Sequence, residues 1–378
     1  MLFPPPTPPP PVPPPPSSQP SLTTETLVSV LVSPWLGAIS DTVGRKALLV
    51  GAPILASLTW WAALLQRRRR LDRHVNTRYR VLYEISIAIS SQAWQIGYGA
   101  TVSDLSLDPA LEQGIEVTSN LVEVTVECLA SAPASTALPL KVTRRCCLAA
   151  AAAMSGAAAW CVGTKSEEPL DDCDRKRFDS ARLLGNMSWW RRRHLATEKA
   201  MLIAFLLESG RQQYDGMLEA GSHERALSMT AATAGLAASV TIKPTLRRCG
   251  DIGTTQLASW AHFFACLMRT PLFSKWKCAR MSSAVITTSI AANGEYAQGS
   301  GQEDAALEAG CGHGEMNAAV CAAEAVSRQL MPMVASTFAR HGARSTANDK
   351  LKSLGVYMVL HALTARVFLP QLWPQRLQ

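Results

Sequence analysis

The sequence predicts an all-α chain folded as a polytopic membrane helix bundle of two pseudo-repeated halves, with about eleven candidate helices. Three observations carry this prediction. Apolar stretches recur along the 378 residues, the clearest running from Ala47 to Leu65. Hydrophobic residues make up 48% of the chain and charged residues only 17%, which is low charge for a soluble protein. Finally, two apolar runs between Leu22 and Leu65 are joined by a very short charged turn around Asp41, Arg45 and Lys46. The mean hydropathy, +0.07, is modest for a chain with many spans, so the bulk numbers allow either class and the motifs decide between them.

The joining turn lies in S-P-W-L-G-A-I-S-D-T-V-G-R-K-A-L-L-V, from Ser33 to Val50. Gly37 and Gly44 let backbones approach and reverse sharply. Asp41 stands between two helices, where a carboxylate accepts backbone N–H groups. Arg45 and Lys46 sit at a membrane edge, where positive charge marks the cytoplasmic side. The spacing G-x-x-x-D-x-x-G-R-K resembles the signature loop between the second and third helices of the major facilitator superfamily. The surrounding residues are most similar to its tetracycline-efflux and hippocampus-abundant-transcript-like branch.

The chain before this loop is a proline tract, Pro4 to Pro20, which predicts an extended polyproline II tail. Such a tail is also a weak candidate partner for SH3 or WW domains. It stands where the family has its first helix, so Leu22 to Leu36 is expected to be the second. Ala47 to Leu65 follows as the third, with a Trp pair as interface anchor and Arg67 to Arg70 as its stop. Val81 to Ala100 is the fourth, leaving through Y-G-A-T-V-S-D at Tyr98 to Asp104, which resembles the family's exit from that helix. Ile115 to Leu140 and Cys146 to Gly163 are the fifth and sixth.

A strongly charged stretch, with D-R-K-R and W-W-R-R-R-H, then separates two sets of helices. The second set is expected at Met201 to Leu218, Ala226 to Ile242, Gln256 to Met268, Met281 to Ala292, a helix led by G-E-M-N-A-A-V at Gly314, and Leu354 to Leu369. Within it, F-L-L-E-S-G-R-Q-Q-Y around Glu208 is similar to the seventh helix of the hippocampus-abundant-transcript branch. L-R-R-C-G-D-I-G-T at Leu246 to Thr254 looks like a worn copy of the first signature loop, as expected of a repeated half. The predicted organisation is therefore a disordered tail (1–21), an N-terminal helical half lacking helix 1 (22–164), a charged central cytoplasmic loop (165–199), a C-terminal helical half (200–370) and a short tail (371–378).

The resemblance implies transmembrane transport of a small solute by alternating access, with protons as a candidate coupling partner, in a multi-pass protein of the lipid bilayer. It implies that Gly37, Asp41, Gly44, Arg45 and Lys46 form a gating motif, with Asp41 and Arg45 as the latch. Charges inside predicted spans are candidates for proton or solute binding, because they are costly there unless they face a cavity. Glu123 and Glu127 are the first such pair, four residues apart on one helix face, and Glu208 is the next. Glu84, His361 and Arg366 also fall inside spans. Two other readings stay open: a degenerate, non-transporting relic of a transporter, and a soluble helical or disordered interaction protein using its proline tail.

Other function classes find little support. The net charge of +8 comes without a nucleic-acid-binding signature, and basic loops facing anionic lipid account for it. The ten cysteines include no C-x-x-C pair and predict apolar fillers. Cys311, His313 and Cys321 match no common zinc spacing, so no metal or cofactor is expected. No nucleophile or acid–base constellation argues for an enzyme.

Overall fold

The computed structural model describes residues 24–66, 73–105, 140–165, 195–219, 224–268, 270, 273, 277–339 and 347–373. Among them the regular structure is entirely helical. The helices are α1 (Thr24–Thr42), α2 (Arg45–Gln66), α3 (Arg73–Leu105), α4 (Leu140–Lys165), α5 (Leu195–Glu219), α6 (Glu224–Met268), α7 (Lys277–Ala309), α8 (His313–Ala339) and α9 (Ala347–Leu363). The last continues through a π-helical stretch, Thr364–Phe368, into a final turn, α10 (Leu369–Leu372).

Two positive-φ glycines punctuate this order at the two signature-like loops. Gly44 (φ 121) reverses the chain between α1 and α2, leaving almost no connecting residues. Gly250 (φ 67, ψ 178) breaks α6 in its middle, so α6 is in effect two helices meeting at a kink. The left-handed region is accessible to glycine without the steric cost other residues incur. The break gives the predicted eighth and ninth helices as the two arms of α6. The helices overrun the apolar stretches that announce them: Leu195 to Lys199, expected in the central loop, form the first turns of α5.

Packing is built from small residues. The core around α1 joins Leu36 to Leu48 and Ala52 of α2, Ala93 and Ile96 of α3, and Ala318 of α8. A second cluster joins Ala196 and Ala200 of α5 to Ala305 and Ala306 of α7 and Met316 of α8. A third joins Cys266, Met331, Ala335, Leu354 and Tyr357, bringing α6, α8 and α9 together. Alanine at the contacts brings helix axes close and maximises backbone-level dispersion contact. Thus α1 to α4 pack among themselves, α5 to α10 among themselves, and α8 crosses to lie against α1 and α3.

Large apolar side chains stand on the outside of the described helices. Leu31, Leu58, Leu82, Trp160, Val240, Leu307 and Val359 are all more than 60% exposed, whereas Asp41, Arg45, Glu208, His262 and His361 are buried. This inverts the water-soluble pattern. By length and apolarity two described helices qualify individually as membrane spans, Arg45–Leu65 and Leu351–Leu372. The proline tail, Glu123 and Glu127 with the predicted fifth helix, and most of the central loop lie outside the described residues.

Candidate functional site

Asp41 ends α1 with its side chain buried, and its carboxylate reaches across to α8. Oδ1 accepts the N–H of Gly314 at 2.9 Å and Oδ2 accepts the N–H of Glu315 at 2.9 Å. These are first-turn amides, which have no acceptor within their own helix. A carboxylate there satisfies two donors and faces the positive end of the helix dipole. Asp41 therefore acts as a helix cap supplied by a distant segment.

Arg45, the first residue of α2, sits at 2% exposure beneath this contact. Its Nη1 donates to Ser40 Oγ at 2.8 Å and to Asp41 Oδ1. Its Nε donates to Asp104 Oδ2 at 2.7 Å and its Nη2 to Asp104 Oδ1 at 3.3 Å. The planar guanidinium suits this task, because its fixed fork can hold one carboxylate on two edges while bonding another. Asp104, in the last turn of α3, also lies 2.9 Å from Nδ1 of His313. The chain Asp41–Arg45–Asp104–His313 thus closes on itself through the first turn of α8, tying α1, α2, α3 and α8 at one level.

Glycines set the spacing. A Cβ on Gly37 would stand 2.7 Å from both Ala318 Cβ and Gly314 O, and one on Gly314 would stand 2.7 Å from Ser40 Cβ. A Cβ on Gly312 would overlap the Asp41 carboxylate at 2.1 Å. At the same level Gly99 of α3 abuts Asn317 of α8. Any larger residue would push the helices apart and lengthen the capping bonds. Lys46 is half-buried beside the ring.

The worn copy of the loop is built differently. Arg247 and Arg248 precede Gly250 instead of following it and are exposed. Asp251 accepts a bond from Ser300 Oγ of α7 at 3.2 Å, within its own set of helices.

Glu208 of α5 is buried and faces Arg328 of α8, with Oε1 3.0 Å from Nε. Beside them Ser327 Oγ donates to Phe205 O at 2.7 Å, fixing the two helices together. Glu84 is half-buried in α3. His361 is fully buried, with its ring 5.1 Å from that of His262, and its carbonyl accepts Ser259 Oγ at 2.9 Å one turn before the π-helical stretch. Arg366 stacks over Trp260 at 6.0 Å.

Sequence reasoning located Asp41 and Arg45 but not their partners. Asp104 closed the Tyr98–Asp104 motif and Gly314 opened a family-like pattern, so both signals were present without the contact that joins them. Arg328 had no motif around it. Among the described residues no group of three or more His, Cys, Asp or Glu side chains is arranged to hold a metal ion.

No family model and no curated protein sequence matches the chain. Solved structures do. The chain is similar to the human organic anion transporter MFSD10 (TETRAN), with a TM-score of 0.62 and 15% identity over 91% of this chain and 82% of that one. It is similar to a bacterial homologue of the iron transporter ferroportin in its outward-facing state, with a TM-score of 0.60 and 13% identity over 92% and 88%. It is also similar to the E. coli fucose:proton symporter FucP, with a TM-score of 0.56 and 10% identity over 91% and 89%. The fold is that of the major facilitator transporters.

Proposed function

We propose that this chain, whose fold is that of the major facilitator transporters, carries a small solute across a membrane by alternating access. The observation that carries the reading is the capping of α8 by Asp41. One segment of the first helical set holds shut a helix of the second, at the level where Arg45, Asp104 and His313 converge. In this reading residues 22–164 and 200–370 are the two rocking halves, and 165–199 is the charged loop between them. The large apolar side chains on the outside of the described helices support a multi-pass place in a bilayer.

The mechanism follows from what the ring stabilises. Closing one side pairs two carboxylates with Arg45 and two helix amides in a water-poor setting, where such bonds are stronger than in water. Opening that side strips the cap from α8 and leaves its amides and Asp41 to water. The latch thus stabilises one state of a two-state equilibrium, and solute binding at the centre supplies the compensating free energy. Gly37, Gly312 and Gly314 keep the closed contact short, and Lys46 belongs to the charged edge of the motif. Glu208, with Glu123 and Glu127, is our candidate for proton or solute binding. The neighbours in the fold are an organic anion transporter, a bacterial homologue of an iron transporter and a fucose:proton symporter, so the fold alone selects no cargo.

Nitroxide labels at Val43 and Leu307, both exposed near the ring, test the latch without knowledge of the cargo. In a cysteine-free background, pulsed dipolar spectroscopy should give one short-distance population for the wild type. Asp41→Asn should add a longer one. Identical distributions would remove the latch from the account.

A degenerate, non-transporting relic is the second reading, favoured by the charges that stand inside the helices at Glu84, Glu208 and Arg366. A proton-dependent current or flux from the reconstituted chain would end it.

A further inference from the structure

Val359, Leu363 and Arg366 follow one another along the last long helix at steps of four and three, so they share one face. Leu257, Trp260 and Phe264 do the same on the second arm of α6. Leu257, Phe264, Val359 and Leu363 are each at least 40% exposed, and Arg366 is exposed among them. Its guanidinium lies over the Trp260 ring at 6.0 Å, and among the described residues no carboxylate pairs with it. A charge inside a span ordinarily turns inward, to a partner or a water-filled cavity. Arg366 turns outward, within the apolar span Leu351–Leu372. The backbone favours this placement: Pro370 has no N–H to offer the carbonyl of Arg366, and the chain takes this up as the π-turn Thr364–Phe368, where Leu369 N–H bonds Thr364 O. Arg366 stands at the centre of that turn, roughly 9 Å of rise short of the end of the span. A long side chain this near a helix end raises its charged head to the headgroup level.

We propose that Arg366 and Trp260 form a binding site for the headgroup of an anionic phospholipid. The proposal rests on the bilayer placement in the reading above and not on transport itself. Stacking on the indole holds the plane of the guanidinium and leaves its edge N–H groups free for phosphate oxygens, which they match in geometry. The indole itself suits the boundary between headgroups and acyl chains. Leu363 and Phe264, exposed beside the pair, offer the acyl chains an apolar bed. The charge selects the class of lipid. In phosphatidylcholine the phosphate is balanced by its own choline, whereas in phosphatidylglycerol it is not, and Arg366 is a cation without a counter-charge. The leaflet follows from the packing. Met331 and Ala335, late in α8, pack with Leu354 and Tyr357, early in α9, so α9 runs back toward the level of the latch. That is the face on which Arg45 and Lys46 stand, where positive charge marks the cytoplasmic side and the membrane surface is anionic.

Phosphatidylglycerol carrying a photoreactive diazirine high in one acyl chain tests this on the purified full-length chain in mixed micelles, against phosphatidylcholine with the same diazirine. Crosslinks are mapped to peptides by mass spectrometry. In the wild type, phosphatidylglycerol should label the peptides holding Trp260 and Arg366 about fivefold more than phosphatidylcholine does, the scale set by one basic side chain at an anionic surface. Arg366→Gln should bring the two lipids level there and leave the crosslinks elsewhere on the chain unchanged, which a misfolded protein would not do. Arg366→Lys should keep part of the preference, and Trp260→Leu should reduce it. Equal labelling by both lipids in the wild type, or an undiminished preference in Arg366→Gln, would overturn the proposal. Displacement of the lipid by glycerol 3-phosphate would also overturn it, by showing a site for a free phosphate ester. Crosslinks between two copies of the chain at this face would do the same, by showing that the face is a protein contact. Arg366→Gln should leave the distances between labels at Val43 and Leu307 as in the wild type. A latch that fails its own test therefore leaves this site standing, and a lost lipid preference leaves the latch standing.

Discussion

The carboxylate of Asp41 caps the helix that begins beside Gly314, 273 residues further along the chain. A helix cap is ordinarily local, supplied by the residue that precedes the first turn. Here it is supplied from another helix, so the satisfaction of α8's first amides depends on how the two sets of helices are placed. Local caps contribute about 0.5–2 kcal/mol, and that is the scale on which this contact can bias a rearrangement.

Gly312→Ala tests how tightly the contact is set. The new Cβ would fall on the Asp41 carboxylate, which its bonds to Gly314, Glu315 and Arg45 prevent from swinging aside. Overpacking of this kind costs about 1–3 kcal/mol. The variant should show a lower unfolding midpoint and a longer-distance population between the labels described above. Gly51→Ala, with open space around its Cβ, should leave the label distances unchanged and should not lower the midpoint, since alanine is the better helix former.

Arg45→Lys keeps the charge and removes the fork. A lysine ammonium cannot bond Ser40, Asp41 and both oxygens of Asp104 from one rigid plane. The buried carboxylates then lose part of their compensation, and breaking a buried pair typically costs about 3–5 kcal/mol. Lysine should recover less than half of the stability lost in Arg45→Ala, measured by thermal unfolding in detergent. Recovery to near wild type would mean that charge alone holds the ring.

Membrane fractionation of the full-length chain tests the setting in which all of this operates. With large apolar side chains on the outside of the described helices, the protein should stay in the pellet after alkaline carbonate extraction. Release into the soluble fraction would remove the bilayer, and with it transport, and favour the interaction-protein reading.

Much of the architecture is legible in the chain because the described helices are built around apolar stretches. Ala47 to Leu65 announces α2 to within two residues at its start, and Gly250 in its charged setting announces the break in α6. The site is only half legible, for a physical reason. Asp41 and Arg45 share one turn, so their spacing is visible. Asp104 lies 59 residues from Arg45 and Gly314 lies 273 from Asp41, and no periodicity links residues that meet only through packing. Glu208 stands out as a charge in an apolar run, whereas Arg328 follows the alanine-rich Ala322–Ser327 stretch without any such contrast. The helices run past their apolar stretches because polar end turns, as at Leu195–Lys199, stay helical when their apolar side packs on a neighbour.

The two signature-like loops differ in whom they bind. Asp41 reaches out of its own set of helices, while Asp251 bonds Ser300 inside its own, and the arginines beside Gly250 face outward. Two equal repeats would make the same bond twice. Here the loop at Asp41 carries its bond across the seam and the loop at Asp251 carries one within its own set of helices. A change at either copy therefore has its own reach: one is felt between the two sets, the other inside one of them.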